Sequence, residues 1–230
     1  MLPRPEQFSL QYPGTVRAGF FHARSMSEGI HAAAQRDDLE VLKRFVEADA
    51  ASKDAAGRLG ATPLISAALA GSLNAIKYLC EEAGANTEAG DTYGNTALHM
   101  AAAGDKLMVV KYLCEEVKVN IEARDNYKNT PLHTAAKAGS LAVVRYMCVN
   151  AKANKEARER TYGNTPLHVA ICAGNLEVVQ YLCEEAGVDK GAVNNDGLTP
   201  LSLARYERQI RVVRYLGGCF AAFKAAVCFC

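Results

Sequence analysis

A short segment, Thr-Pro-Leu-His, returns along this chain at steps of 34 or 35 residues. Residues 130–133 are the central copy, and related copies begin at Thr62, Thr96, Thr165 and Thr199. One step earlier, the segment 28–31 keeps only the histidine. Self-similarity at a period of 20 to 50 residues is typical of stacked repeats, in which each unit contacts only its neighbours. The chain is therefore predicted to form an elongated array rather than one closed core.

The repeated segment has the chemistry of a helix start. Thr130 suits the N-cap position, because its hydroxyl can accept a bond from a free amide of the first turn. Pro131 then occupies the first helical position, where its missing N–H costs nothing. His133 falls at N3, where a capping box carries Glu or Gln. We predict that its imidazole does this work, which is a structural role rather than metal binding or catalysis. Ile65 and Ser202 replace the histidine in two copies, which supports the same interpretation.

The rest of each unit follows one order. Alanine pairs such as Ala67-Ala68 continue the first helix and predict close packing of neighbouring helices. A glycine, as at Gly71, Gly139 and Gly174, suits a left-handed helix end. An apolar residue then opens a second helix in every unit: Leu39, Leu73, Leu107, Leu141, Leu176 and Ile210. A polar connection such as 121–129 has the residues of a tight turn. Each unit is thus predicted to be helix, turn, helix and projecting turn.

These motifs closely resemble the ankyrin repeat. The clearest copy is Gly-Asn-Thr-Pro-Leu-His-Val-Ala at 163–170, followed by Gly-Asn-Leu-Glu-Val-Val at 174–179. The resemblance covers residues 28–216 and implies an all-α solenoid of helix-turn-helix units with projecting β-hairpin-like turns. The units are longer than the family's usual length of about 33 residues. We expect the extra residue at the end of the second helix.

Three regions are expected along the chain: an irregular lead-in at 1–27, an ankyrin repeat domain at 28–219 and an apolar C-terminal segment at 220–230. The repeat domain divides into six units, at 28–61, 62–95, 96–129, 130–164, 165–198 and 199–219. The first and last units depart most from the pattern, as capping units do when their outer faces meet water. The apolar segment is expected to pack on the sixth unit.

Composition excludes several classes of function. The net charge of +1 gives no electrostatic footprint for nucleic acid. No apolar run approaches the roughly 20 residues that span a bilayer, and no secretory signal is present. Four of the eight cysteines, Cys80, Cys114, Cys148 and Cys183, share one register. Helices stacked about 8–10 Å apart hold such thiols too far apart for disulfides. We expect a reduced, cytoplasmic protein, with the nucleus as the alternative compartment.

The C-terminal Cys228-Phe229-Cys230 resembles a prenylation signal, so membrane attachment there stays an alternative. Otherwise a membrane is not expected as a partner.

Two series of tyrosines recur. Tyr78, Tyr112, Tyr146, Tyr181 and Tyr215 fall in the second helices, and we predict half-buried packing residues whose hydroxyls reach solvent. Tyr93, Tyr127 and Tyr162 fall in the projecting turns. Partner binding and packing between turns both remain open for this second series, because exposed aromatic residues are common anchors of interfaces.

The resemblance also implies where a partner binds, since ankyrin arrays use the concave groove between the turns and the first helices. The corresponding turn residues are Thr92, Tyr93, Asn95, Asn126, Tyr127, Asn129, Thr161, Tyr162, Asn164, Asn195 and Leu198. The corresponding helix residues are Leu69, Ala103, Lys137, Cys172 and Tyr206. The pairs Glu81-Glu82, Glu115-Glu116 and Glu184-Glu185 are predicted to be solvated surface, because adjacent helical residues do not face each other.

We therefore predict a non-catalytic protein-interaction module, a scaffold or adaptor that binds another protein. No cofactor, metal, nucleic acid or small-molecule substrate is expected, and the chain is expected to be a monomer. Two alternatives remain open. The array is the targeting or regulatory part of a larger enzyme or channel, or it is a catalytic ankyrin chain in its own right.

Overall fold

The computed structural model describes residues 29–227, with side chains as far as residue 218. The α-helices of this part form six repeated pairs, and two short 3-10 helices, Ala50–Asp54 and Arg58–Gly60, follow the first pair. The helices are α1 (29–35), α2 (Leu39–Ala48), α3 (Pro63–Ala70), α4 (Leu73–Lys77), α5 (Ala97–Ala103), α6 (Leu107–Tyr112), α7 (Pro131–Ala138), α8 (Leu141–Val149), α9 (Pro166–Cys172), α10 (Leu176–Glu184), α11 (Pro200–Tyr206) and α12 (Ile210–Val227). No strand occurs between residues 29 and 227. The all-α solenoid predicted from the repeats is confirmed.

The first helix of each unit begins where the sequence predicts. In the second unit, Thr62 accepts a bond from the Ile65 amide at 3.3 Å, and Pro63 takes the first helical position. The same helix ends at Gly71, whose φ of 91° is left-handed. Gly139 ends α7 in the same way, with φ of 79°. The predicted start and stop signals are therefore both present.

The first helices pack side by side in one row and the second helices form an outer row. Helix α5 lies between α3 and α7, and α9 lies between α7 and α11. The alanine pairs sit in these contacts and have no exposed surface: Ala67, Ala68, Ala101, Ala102, Ala135 and Ala136. Small side chains let the helices approach closely, as predicted. Leucine, isoleucine and valine side chains of the outer row fill the space between the rows.

The second helices end in a wide turn. The Ala83 amide donates to the Tyr78 carbonyl, and the Ala186 amide donates to that of Tyr181, five residues back instead of four. In the second and third units the widening covers Tyr78–Glu82 and Leu113–Val117. The longer helix ending expected from the unit length is thus present.

The projecting turns are joined to one another by single backbone bonds. Within the third unit's turn, the Asp125 amide donates to the Asn129 carbonyl at 3.0 Å. Between turns, the Asn126 amide donates to the Tyr93 carbonyl at 2.9 Å, and the Arg160 amide donates to the Tyr127 carbonyl at 2.7 Å. One bond for each pair of turns is too few for a strand ladder. The turns are therefore hairpin-like without being a sheet.

Two predicted regions lie outside the described residues, namely the lead-in at 1–27 and Cys228-Phe229-Cys230. The packing expected for the segment 220–230 concerns side chains that lie outside the described part of the structure. Within 29–227, no helix combines the length and the apolar character needed to cross a membrane. The last helix, α12, is 18 residues long.

Candidate functional site

The projecting turns and the first helices enclose a groove with a cavity of about 610 Å³. It extends from the turn of the second unit to the first helix of the fifth unit and collects most of the predicted site. The predicted residues that line it are Tyr93, Asn95, Tyr127, Asn129, Lys137, Tyr162, Asn164 and Cys172. An adjoining cavity of about 520 Å³ holds Leu198 and Tyr206, together with Tyr162. Asn126 lines neither cavity.

The turn tyrosines are the exposed aromatic residues of this groove. Tyr93, Tyr127 and Tyr162 have 47%, 53% and 54% of their surface exposed. Tyr206 continues the row on α11 and is 74% exposed. Lys137 is exposed between them on α7. The groove therefore offers apolar and hydrogen-bonding surface at once.

The asparagines of the groove are used within the turns. The Asn129 side chain donates to Asp125 at 2.9 Å, and Asn95 donates to its own turn's aspartate in the same way. The side-chain oxygen of Asn164 accepts from Asn194 at 3.0 Å, and Asn164 is buried. Through these bonds the asparagines stabilise the turns that carry the tyrosines. Direct contact of the asparagines with a partner stays a prediction.

An acidic residue anchors each turn that carries a tyrosine, a role that our sequence reasoning missed. Asp125 accepts from the Tyr127 amide at 2.8 Å and from the Asn129 amide at 2.7 Å. In the fourth unit the turn is one residue longer. Its anchor is Glu159, whose side chain is one methylene longer than that of Asp125. Its oxygens accept from the amides of Thr161 and Tyr162, both at 2.6 Å. An acidic residue two or three positions before each turn tyrosine was the signal available in the sequence.

A column of buried histidines ties the turns to the helices. The Thr130 amide donates to Nδ1 of His133 at 3.2 Å, which completes a capping box. Because Nδ1 accepts, Nε2 carries the proton and donates to the Asn164 carbonyl at 3.1 Å. His99 and His168 repeat both contacts in their own units. The predicted capping role is confirmed.

Burial lowers the pKa of these histidines. The pKa of His133 falls from its usual 6.5 to about 4, because burial disfavours the charged ring more than its bonds to nearby carbonyls favour it. For His99 and His168 the pKa is also lowered, again chiefly by burial. Both ring nitrogens of His133 are occupied by protein groups, so the ring is not free for a metal. Between residues 29 and 218, no cluster of three or more His, Cys, Asp or Glu side chains is arranged to hold a metal ion.

The tyrosines of the second helices are deeper than we predicted. Tyr112 and Tyr146 are only 8% and 6% exposed. Their hydroxyls donate to Glu81 at 2.7 Å and to Glu115 at 2.9 Å, each on the preceding unit. Tyr215 donates to Glu184 in the same way. The predicted half-burial is wrong for Tyr78, Tyr112, Tyr146 and Tyr181, which are buried because the units stack over them, whereas Tyr215 in the last unit is half-buried as predicted.

This ladder of tyrosine-to-glutamate bonds is not continuous, and Tyr181 is its buried gap. Tyr181 is buried, and its hydroxyl has no hydrogen-bond partner among the described residues. The position that supplies the glutamate in other units holds Val149, which is 66% exposed. Instead, the guanidinium of Arg145 lies 4.4 Å from the centre of the Tyr181 ring and pairs with Glu185. The outer tyrosines are therefore packed in the same way from unit to unit, but their hydroxyls do not all bond to a glutamate.

No disulfide joins these five cysteines of the described part of the chain: Cys80, Cys114, Cys148, Cys172 and Cys183. Burial raises the pKa of Cys80, Cys114 and Cys148 to about 11, so these thiols stay protonated near neutral pH. Their predicted role as packing residues agrees with this chemistry.

A family model described as ankyrin repeats in three copies matches residues 30–125, 86–159, 118–194 and 151–224. These matches together cover residues 30 to 224, so the chain belongs to the ankyrin repeat family. Ankyrin repeats are generally protein–protein interaction modules. The comparison with curated proteins gave no match.

Proposed function

We propose that this chain is a non-catalytic adaptor or scaffold that binds a partner protein along the groove of its second to fifth units. The observation that carries the proposal is the row of half-exposed tyrosines, Tyr93, Tyr127 and Tyr162, on three consecutive turns. Aromatic side chains of this kind are enriched among the residues that dominate binding energy. Successive units place them roughly 10 Å apart, so one partner can contact all three.

The support beneath the tyrosines favours binding by a preformed surface. Asp125 and Glu159 fix the turn backbones, and His133 fixes the helix start behind them. A rigid surface loses little conformational entropy on binding. The groove therefore suits a partner that meets it as a whole, without rearrangement of the turns.

We further propose that the protein works as a monomer in a reducing compartment, the cytoplasm or the nucleus. Support for the compartment comes from the free thiols of Cys80, Cys114 and Cys148, which occupy one register of the outer helices. The proposed function needs no cofactor and no catalytic group.

The test is a binding experiment with the full chain as bait in a cell lysate. Proteins retained by the wild type should be lost with Tyr127→Ala, and the affinity of the purified partner should fall by about 2 kcal/mol, or roughly 30-fold. The free energy of unfolding should change by no more than about 0.5 kcal/mol, because the ring is exposed.

Met108→Ala is the matched control, because Met108 is 63% exposed on the outer row and away from the groove. Equal retention of the partner by wild type and Tyr127→Ala would place the binding surface elsewhere. Equal loss with Met108→Ala would mean that exposed apolar surface in general captures the partner.

A further inference from the structure

In the part of the chain that the structure describes, the C-terminal end of the array is a face on which no further unit stacks. The residue six positions after each capping threonine is fully buried against the next unit: Ala68, Ala102, Ala136 and Ile171. In the sixth unit this residue is Arg205, and it is exposed. Val213 is only half-buried, whereas its equivalents Val144 and Val179 have no exposed surface. The end face is thus the surface that a seventh unit would cover.

A seventh unit does not follow α12 within residues 29–227. The second helices α8 and α10 are nine residues long and then turn back. Helix α12 is 18 residues long and continues through Gly217 and Gly218, where the other units have their wide turn. Among the described residues, therefore, the end face stays open.

The end face carries a local excess of positive charge. Arg205, Arg208 and Arg214 surround Ile210 and Val213 in a shallow cavity of about 530 Å³. Arg211 is exposed on the same helix turn.

None of these four arginines forms an ion pair within the described residues, unlike Arg145, which pairs with Glu185. The nearby Glu207 lines the cavity on the groove side instead. A capping face needs polar residues, but it does not need four unpaired cations.

The same end of the molecule is also apolar. Ile210 is 73% exposed between the arginines. The sequence that follows Leu216 contains three phenylalanines, one charged residue, Lys224, and no acidic residue. An acidic protein would complement the arginines but would leave the apolar sequence unexplained. The surface of a lipid bilayer with anionic headgroups complements both, because guanidinium groups bind the headgroups and apolar side chains enter the interface.

We propose that the end face, defined as Arg205, Arg208, Ile210, Arg211 and Arg214, docks together with α12 on an anionic membrane surface. No spanning segment is needed for such binding, and the described part of the chain has none. The cytoplasmic leaflet is the anionic one in cells, which agrees with the proposed compartment. Docked by its end, the array would keep its groove open to a partner. This proposal does not depend on which partner the groove binds.

The test uses the purified full chain and two kinds of vesicle, phosphatidylcholine alone and phosphatidylcholine with about a third phosphatidylserine. Sedimentation should show binding to the anionic vesicles at least 10-fold tighter than to the neutral ones, weakening as salt rises. The triple variant Arg208→Gln, Arg211→Gln, Arg214→Gln should lose roughly 100-fold in affinity, about 3 kcal/mol at 1.4 kcal/mol per factor of ten. All three side chains are exposed, and thermal unfolding should confirm that the variant folds.

The control is Arg36→Gln, Lys118→Gln, Lys152→Gln, which removes the same net charge from exposed positions elsewhere. It should bind the anionic vesicles like the wild type. An equal loss in the control, or equal binding of the wild type to neutral and anionic vesicles, would overturn the proposal. So would arginine-dependent binding to soluble polyglutamate without vesicle binding, which would identify a site for acidic protein. The triple variant should bind the groove partner as tightly as the wild type does. The groove itself is tested separately, with Tyr127→Ala.

Discussion

The turn tyrosines and the outer tyrosines come from the same repeat, yet one series faces the groove and the other lies between units. Tyr127 is about half exposed, and its ring is free of the turn's hydrogen bonds. Tyr112 is almost fully buried, its hydroxyl donates to Glu81, and Lys77 lies 5.8 Å from the centre of its ring. Burial and the hydrogen bond to Glu81 both raise the pKa of Tyr112.

The difference shows what recurrence means in a repeat protein. Both series recur once per unit, so recurrence alone does not separate a packing residue from a binding residue. The separation comes from the neighbouring unit. A position that the next unit covers becomes core, as at Tyr112, and a position at the free edge of the turns stays available, as at Tyr127. The following predictions test this assignment.

The largest expected effect is on the outer series. Tyr112→Ala should destabilise the protein by about 3–5 kcal/mol, because it removes a large buried ring and leaves a cavity between two units. Tyr112→Phe keeps the ring and should cost about 1 kcal/mol, the net value of the bond to Glu81. Chemical denaturation measures both.

The matched comparison is Tyr127→Ala, whose stability should stay near that of the wild type. Affinity for the groove partner should show the opposite order, with Tyr112→Phe near normal and Tyr127→Ala weakened. If Tyr127→Ala proved as destabilising as Tyr112→Ala, the turn series would be packing and the proposed binding surface would lose its main support.

The second prediction concerns the buried histidines that connect the turns to the first helices. The folded pKa of His133 is about 4, below its usual value of 6.5, so below about pH 6.5 the unfolded chain binds a proton that the folded chain does not. The stability contributed by the neutral ring is complete above pH 6.5 and is lost as the pH falls toward 4. The difference corresponds to about 3 kcal/mol for this residue. Denaturation curves between pH 7.5 and pH 4 should show the loss.

His133→Gln separates this residue from the other titrating groups. A glutamine amide can accept the Thr130 bond as Glu and Gln do in capping boxes, and it does not titrate. The variant should be less stable than the wild type at pH 7.5 and should lose less stability on acidification. An unchanged pH dependence in His133→Gln would show that the acid sensitivity has another origin.

The fold was predictable because residues within a unit mark where its first helix begins and ends. Thr130, Pro131 and Gly139 mark a helix by local chemistry, and the second and fifth units repeat all three signals in the same order. The predicted role of His133 also followed from one position, N3, and the structure confirms it. Such features depend on residues that are close both in sequence and in space, so local chemistry is enough to predict them.

The details of the two surfaces were less predictable because they depend on contacts between units. The bond from Tyr112 to Glu81 joins residues 31 positions apart, and the sequence does not say how far one unit is rotated on the next. The glutamates therefore read as plain surface and the tyrosines as half-buried. Glu159 was missed for a similar reason, since its three backbone bonds become visible only when the longer turn is folded around it.

The smallest expected effect lies at the break in the outer ladder, where Val149 stands in place of a glutamate. Val149→Glu should supply the acceptor that the Tyr181 hydroxyl lacks, as Glu115 does for Tyr146 at 2.9 Å. A buried hydroxyl without a partner is costly, so the variant should be more stable by about 1 kcal/mol. Val149→Ala trims the same exposed side chain without adding an acceptor, and it should give no gain.

A second source of stability must be separated from the first. Arg145 lies four positions before Val149 on α8, so a carboxylate at position 149 would also face that guanidinium. Repeating the substitution in a Tyr181→Phe background removes the hydroxyl and leaves Arg145 in place. If the ladder explains the gain, Val149→Glu should lose most of its effect in that background, and the coupling from the double-mutant cycle should be close to the whole gain. A gain that survives Tyr181→Phe would come from Arg145, and the buried hydroxyl would then cost the fold little.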